Sequence, residues 1–212
     1  MKNCAAPIIC MKILRTSLVA IISLTIAACA SGPKNPQALQ SVRTVSIDPN
    51  VKMPDKMQFT GLSEMLAGAA VVGAVGPAGS GAMTPSRRTA PDFGIPQSLR
   101  TELAAALQKS GKFVLKKESP TDAVLRIEVE IYGFHSAEMF ARRVNPELAM
   151  KAKLVRSDGT EVWRFRNYVN HLTSGTPAIL PEKIKENPEL GVEAFRVAAR
   201  LCGEKALEKL QE

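Results

Sequence analysis

The stretch from Leu125 to Ile131 constrains the fold most. Leu125, Ile127, Val129 and Ile131 alternate with Arg126, Glu128 and Glu130. Successive side chains of a strand point to opposite faces, so the pattern predicts a strand over 123–132 with one buried face and one wet face. Sheets that are wet on one side are built from antiparallel strands, because all-parallel sheets are covered on both faces. Residues 148–155 alternate in the same way, with Leu148, Met150, Ala152 and Leu154 against Lys151 and Lys153. Asp158-Gly159 is a hairpin signal. The return strand, Glu161 to Val169, sets Trp163 and Phe165 on one face and Arg164 and Arg166 on the other.

The buried face needs a cover, and two helical segments supply it. Pro96 suits a helix start, Leu99, Leu103, Ala106 and Leu107 share one face, and Gly111 supplies the stop, which predicts a helix over 96–110. Asn187-Pro188 opens a last helix that gathers Ala194, Phe195, Ala198, Leu201, Cys202, Ala206 and Leu210 on one side. Val42–Asp48 reads as a first strand and Phe113–Leu115 as a short one, with loops over 49–60, 84–95 and 173–187. The expected class is α+β: a mainly antiparallel sheet with two helices packed on one face. With 212 residues and 45% hydrophobic content the chain can bury a core, which excludes wholesale disorder.

The N-terminus has a different chemistry. Residues 1–28 carry Lys2, Lys12 and Arg15, no acidic residue, and an uncharged run from Thr16 to Ala28. That run is shorter than the roughly 20 apolar residues of a membrane span. A basic flank, a short apolar run and small residues form the layout of a secretory signal peptide. Ile26-Ala27-Ala28-Cys29 resembles the lipobox of bacterial lipoproteins. The resemblance implies signal-peptidase recognition at Ile26, Ala27 and Ala28, lipidation of Cys29 with a diacylglycerol and an N-linked acyl chain such as palmitate, and cleavage before Cys29. Ala30, rather than Asp, implies an outer-membrane destination facing the periplasm. Met11-Lys12 also opens a conventional leader, so Met1 and Met11 are both candidate starts.

Removing 28 residues and their three cations takes 212 residues at +8 to 184 residues at +5. Cys29 and Cys202 remain of the four cysteines, and lipid consumes the first, so no intramolecular disulfide is expected even in an oxidising periplasm. The lone Cys202 is expected to be buried and inert. Residues 29–41, with two prolines and little apolar content, read as a lipidated tether, and 42–212 as the α+β domain with a glycine-rich insertion at about 61–95. The helix at 96–110, the strands at 113–115 and 123–132, the Asp158-Gly159 hairpin and the C-terminal helix together are similar to small periplasmic lipoprotein domains. These include the curli-secretion lipoprotein family and the N-terminal domain of the Tol-Pal β-propeller protein.

Within the insertion, Leu66 to Met83 has no charge and holds Gly68, Gly73 and Gly76 among alanines and valines. One reading is a small-residue segment that contacts membrane or self-associates. The other is a surface loop broken by Pro77 and the glycines. No Gly-Lys-Ser/Thr follows, so it is not a phosphate loop.

Catalytic chemistry finds little support. His135 and His171, the two histidines, sit near predicted strand ends with no His or Cys at ligand spacing, so no metal site is expected. No Gly-x-Ser-x-Gly is present. Glu128 and Glu130 share the wet face, where cross-strand pairing with Lys151, Lys153, Arg164 or Arg166 is the ordinary outcome. Basic residues are scattered and aromatics make up 5%, which argues against nucleic acid. The chain is therefore expected to be a non-enzymatic cell-envelope lipoprotein without a bound cofactor, on the membrane through its lipid. It would act in assembly with an envelope protein partner or as a homo-oligomer. The alternative is a protein that binds lipid or a small ligand between sheet and helices.

Overall fold

The computed structural model describes residues 31–60, 92–117, 120–136 and 143–212. The expected signal peptide and most of the glycine-rich insertion lie outside the described residues. In chain order the elements are β1 (Gly32–Pro33), α1 (Pro36–Gln40), β2 (Thr44–Ile47), β3 (Gln58–Thr60), α2 (Ile95–Lys109), β4 (Val114–Leu115), β5 (Ala123–His135), β6 (Asn145–Arg156), β7 (Glu161–Val169), α3 (Pro181–Glu186) and α4 (Glu189–Gln211).

The long ladders are antiparallel, β5 to β6 and β6 to β7, and the sheet runs β1-β7-β6-β5-β2-β4. The short pairings β2–β4, β2–β5 and β3–β5 are parallel. β2 and β4 are adjacent although the chain between them includes β3 and α2, the long connection that a parallel pair requires. The chain from Thr44 to Thr60 tracks one edge of β5, pairing first at Val45–Ala123, touching again at Lys52–Glu128 and pairing last at Thr60–His135.

One face of the sheet is dry. Leu125, Ile127 and Val129 of β5, Leu148, Met150, Ala152 and Leu154 of β6, and Trp163, Phe165 and Val169 of β7 are all buried. α4 lies over β6 and β7 on this face, and α2 packs along α4. The expected α2 face is buried in full, with Ile95 added, and the α4 face is buried except for the partly covered Leu201. Burial of a Leu- or Phe-sized side chain contributes about 1.5–3 kcal/mol, so this layer supplies most of the fold's cohesion. The helix starts are read locally. Asp92 Oδ1 accepts the Gly94 N–H at 2.8 Å ahead of α2, and Asn187 Oδ1 accepts the Glu189 N–H at 3.2 Å ahead of α4. Gly203 lets the two helices close, since a Cβ there would meet the Glu102 carbonyl oxygen at 3.0 Å.

The structure corrects four expectations. Ile131 does not continue the buried row: the ladder shifts register between Val129 and Ile131, and Tyr132 and Phe134 take the dry face instead. A bulge inserts one residue and so exchanges the faces beyond it. Gly32 to Ser41, expected as tether, is folded. β1 pairs with β7, and Pro36 opens a helix whose Asn35 cap accepts the Ala38 N–H at 3.0 Å, with Leu39 against the core. Proline here starts a helix rather than stiffening a linker. The expected loop at 49–60 contains β3, and that at 173–187 contains α3, again opened by a proline, Pro181.

Cys202 is fully buried in α4, where Asn167 Nδ2 donates to its sulfur at 3.6 Å. Burial pushes its thiol up to about 12. Thiolate is the reactive form, so a thiol reagent is expected to leave the native protein unmodified and to label Cys202 once urea unfolds the chain. Labelling at equal rates in both states would contradict this packing.

Candidate functional site

Ile26, Ala27, Ala28 and Cys29, and also Gly68, Gly73 and Gly76, lie outside the described residues. Two other groupings emerge among the described residues, one on each face of the sheet.

The first is a groove of about 700 Å³ at one end of the dry layer. It is lined by Trp163 and Val42, by Pro36 and Leu39 of α1, by Phe113, and by Leu210 of α4. Trp163 is 1% exposed and stacks on Phe165 with ring centroids 5.8 Å apart. Its indole Nε1 is buried and has no hydrogen-bond partner among the described residues. Buried indole N–H groups usually find an acceptor, and an unmet one costs about 1–3 kcal/mol. Arg43, Lys112 and Lys209 also line the groove, and Lys209 is held by the Glu212 carboxylate at 2.6 and 2.7 Å. The backbone N–H groups of Arg43 and Thr44 both donate to Asp122 Oδ2, at 2.9 and 2.7 Å, which fixes the rim on the Arg43 side. Those two bonds are the largest causes holding Asp122 below the usual carboxylate range.

The second grouping lies on the opposite face. His135, at the end of β5, stacks on His171, just beyond β7, with centroids 4.2 Å apart and planes 9° from parallel. The same side holds Glu147, 3% exposed, which accepts the Tyr168 hydroxyl. Tyr168 shows 48% of its surface, but burial of its hydroxyl and the bond to Glu147 push it up to about 12. Burial, and then the neighbouring His171, lower the His135 pKa below 6.5, with Glu147 opposing. A depressed histidine favours the neutral ring in the fold. Its contribution to stability is therefore present above pH 6.5 and lost as pH falls through the folded value. In an NMR titration His135 is expected to have its midpoint below 6.5, and His171→Phe to raise it only part of the way, because burial remains. A midpoint at or above 6.5 would contradict the assignment.

Elsewhere on the wet face two carboxylates are ion-paired, whereas the exposed Glu128, expected to pair across strands, forms no ion pair among the described residues. Glu130 binds Lys151 and Arg166, the latter at 2.7 Å, and Glu161 binds Arg164 at 2.6 Å and Lys153 at 3.5 Å. Burial works against ionisation of Glu130, but its two cationic donors outweigh it and hold the carboxyl below 4.5. Glu130 is thus committed to ion pairs, as its strand position leads one to expect. Among the described residues no group of three or more His, Cys, Asp or Glu is placed to hold a metal, and no helix is long and apolar enough to cross a membrane.

Sequence reading missed both groupings. The His135–His171 pair follows from two successive antiparallel connections, which end β5 and β7 at the same side of the sheet. That signal was present in the strand order. The groove depends on α1, hidden inside an apparent tether. The available clue was the pairing of Pro36 with Leu39 three residues on, a spacing that fits one turn of helix.

No family model and no curated protein matches the chain. Among solved structures it is similar to a Xanthomonas campestris protein of family DUF330, at 16% identity over 84% of this chain and 88% of that one, with a TM-score of 0.43. It is also similar to a minor lipoprotein from Acinetobacter baumannii, at 11% identity, 80% and 91% coverage and a TM-score of 0.39. A third is the PelC dodecamer from Paraburkholderia phytofirmans, at 12% identity, 79% and 93% coverage and a TM-score of 0.35. At such scores no residue role and no ligand passes from these proteins to this chain.

Proposed function

We propose that this chain is a lipid-anchored protein of the bacterial outer membrane that faces the periplasm and acts there by binding rather than catalysis. The observation that carries the binding role is the groove beside Trp163, lined by Pro36, Leu39, Phe113 and Leu210 together with the cations Arg43 and Lys112. The anchor rests on Ile26-Ala27-Ala28-Cys29 and the export to the outer membrane on Ala30. Between Cys29 and Gly32, where β1 begins, three peptide steps span at most about 10 Å, so the lipid would act on a short lead. Three acyl chains, each buried CH₂ contributing about 0.8 kcal/mol, would hold the protein on the bilayer in practice permanently. Of the two roles expected from the sequence, envelope assembly and ligand binding, the groove favours a ligand; the segment through which self-association was expected, residues 66–83, lies outside the described residues.

Radiolabelled palmitate and membrane fractionation test the anchor. The wild-type chain is expected to take up label and sediment with the outer membrane. Cys29→Ser is expected to take up none and to leave that fraction. Unchanged retention of the variant would sink the lipoprotein reading.

A further inference from the structure

We propose that the groove over Trp163 binds one acyl chain ending in an anionic oxygen head, a carboxylate or a phosphate. The inference rests on the binding role above and names its ligand class. Two features of the groove define the ligand.

The apolar feature is the wall. Pro36, Leu39, Phe113 and Leu210 contribute the apolar part of an open groove of about 700 Å³, within the range of small-molecule sites. Trp163 also lines the groove, with its side chain almost fully buried beneath it. The charged feature is the rim. Lys209 is already held by Glu212, whereas the exposed Arg43 and Lys112 form no ion pair among the described residues. Two cations outside any ion pair among the described residues, set beside apolar side chains, match a single chain with a single anionic head. An extended peptide would ask instead for a row of backbone donors and acceptors along a strand edge. Of β1 and β4, the strands at the two ends of the sheet order, the groove takes only Pro33, which has no N–H to donate.

The geometry carries its own reporter. Trp163 is the one tryptophan in the chain, so intrinsic indole fluorescence comes from the lining of the groove. A bromine atom on an acyl chain quenches indole emission only at close range. The test uses the full, lipid-anchored chain in phosphatidylcholine nanodiscs, titrated with dibrominated stearate and, separately, with a dibrominated lysophosphatidylglycerol. Brominated phosphatidylcholine built into the disc measures background quenching from the bilayer.

The expected result is saturable quenching, well above that background, by one or both anionic probes; which probe acts tells a carboxylate head from a lipid phosphate. The double variant Arg43→Gln/Lys112→Gln is expected to shift the midpoint about tenfold upward. Both side chains are exposed, so its melting temperature should stay at the wild-type value. Trp163→Phe silences the reporter and is not needed. Absence of saturable quenching in the folded wild-type chain would overturn the proposal. So would a midpoint indifferent to loss of both cations, and so would full displacement by inorganic phosphate, which would mark a site for a free anion. Failure here with intact palmitate labelling would remove the ligand and leave the anchor. Loss of palmitate labelling with intact quenching would do the reverse.

Discussion

Phe195→Ala is expected to cost about 3–5 kcal/mol of folding stability. Phe195 is fully buried at the point where three parts of the fold meet. Its ring lies 5.0 Å from Phe93, which precedes α2, and 5.2 and 6.5 Å from Phe134 and Tyr132 of β5. Phe93 and Phe134 in turn meet edge-on at 5.7 Å. Truncation to Ala therefore removes the transfer energy of the ring, leaves a cavity that rigid neighbours cannot close, and breaks several ring-to-ring contacts worth about 0.5–1.5 kcal/mol each. A domain of this size has about 5–15 kcal/mol to lose, so the variant should stand close to unfolding. Urea denaturation checks it: the midpoint should fall sharply with the slope unchanged. Phe195→Leu should recover more than half of the loss. A cost under about 1 kcal/mol for the Ala variant would show that the cluster is not the keystone described here.

Gly133→Ala is the second large effect, and its cause is different. Gly133 has no unusual backbone angle, so Ala is not refused on conformational grounds. It is refused by space. An added Cβ would stand 1.6 Å from the Gln58 carbonyl oxygen and 2.6 Å from its carbon, both backbone atoms that no rotamer change can move. β3 must then leave its place beside β5, giving up the pairings of Gln58, Phe59 and Thr60 with Gly133, Phe134 and His135. The expected cost is about 1–3 kcal/mol. Because the damage is confined to one edge, hydrogen exchange should speed up at Gln58–Thr60 while the β6–β7 ladder stays protected. Equal loss of protection across the whole sheet would mean that β3 is part of the cooperative core rather than an addition to its edge.

What could be read without coordinates followed from periodicity. The buried rows of β5, β6, β7, α2 and α4 were all present as alternation or as a helical stripe, and Asp158-Gly159 placed its hairpin where Gly159 takes φ +85. The bulge at Glu130 was not readable, because Ile131 keeps the apolar alternation that the backbone then abandons. β1, β3 and α1 are too short to show a period, and α1 and α3 begin at prolines whose surroundings resemble linkers. The groove over Trp163 combines segments from four distant parts of the chain, so no local pattern announces it. The His135–His171 stack is of the same kind, set by where two strands end rather than by any spacing. Cys202, by contrast, was expected to be buried from its place on an apolar helical stripe, and it is.

The central claim is that the chain reaches the bilayer through Cys29 and leaves residues 1–28 behind. The mass of the intact protein, extracted from envelopes with mild detergent, tests that claim most directly. The account predicts one species, the 184 residues from Cys29 to Glu212 plus a diacylglycerol and one further acyl group, all on the Cys29 peptide after digestion. A species that retains residues 1–28, or one that begins at Cys29 without added lipid, would contradict it.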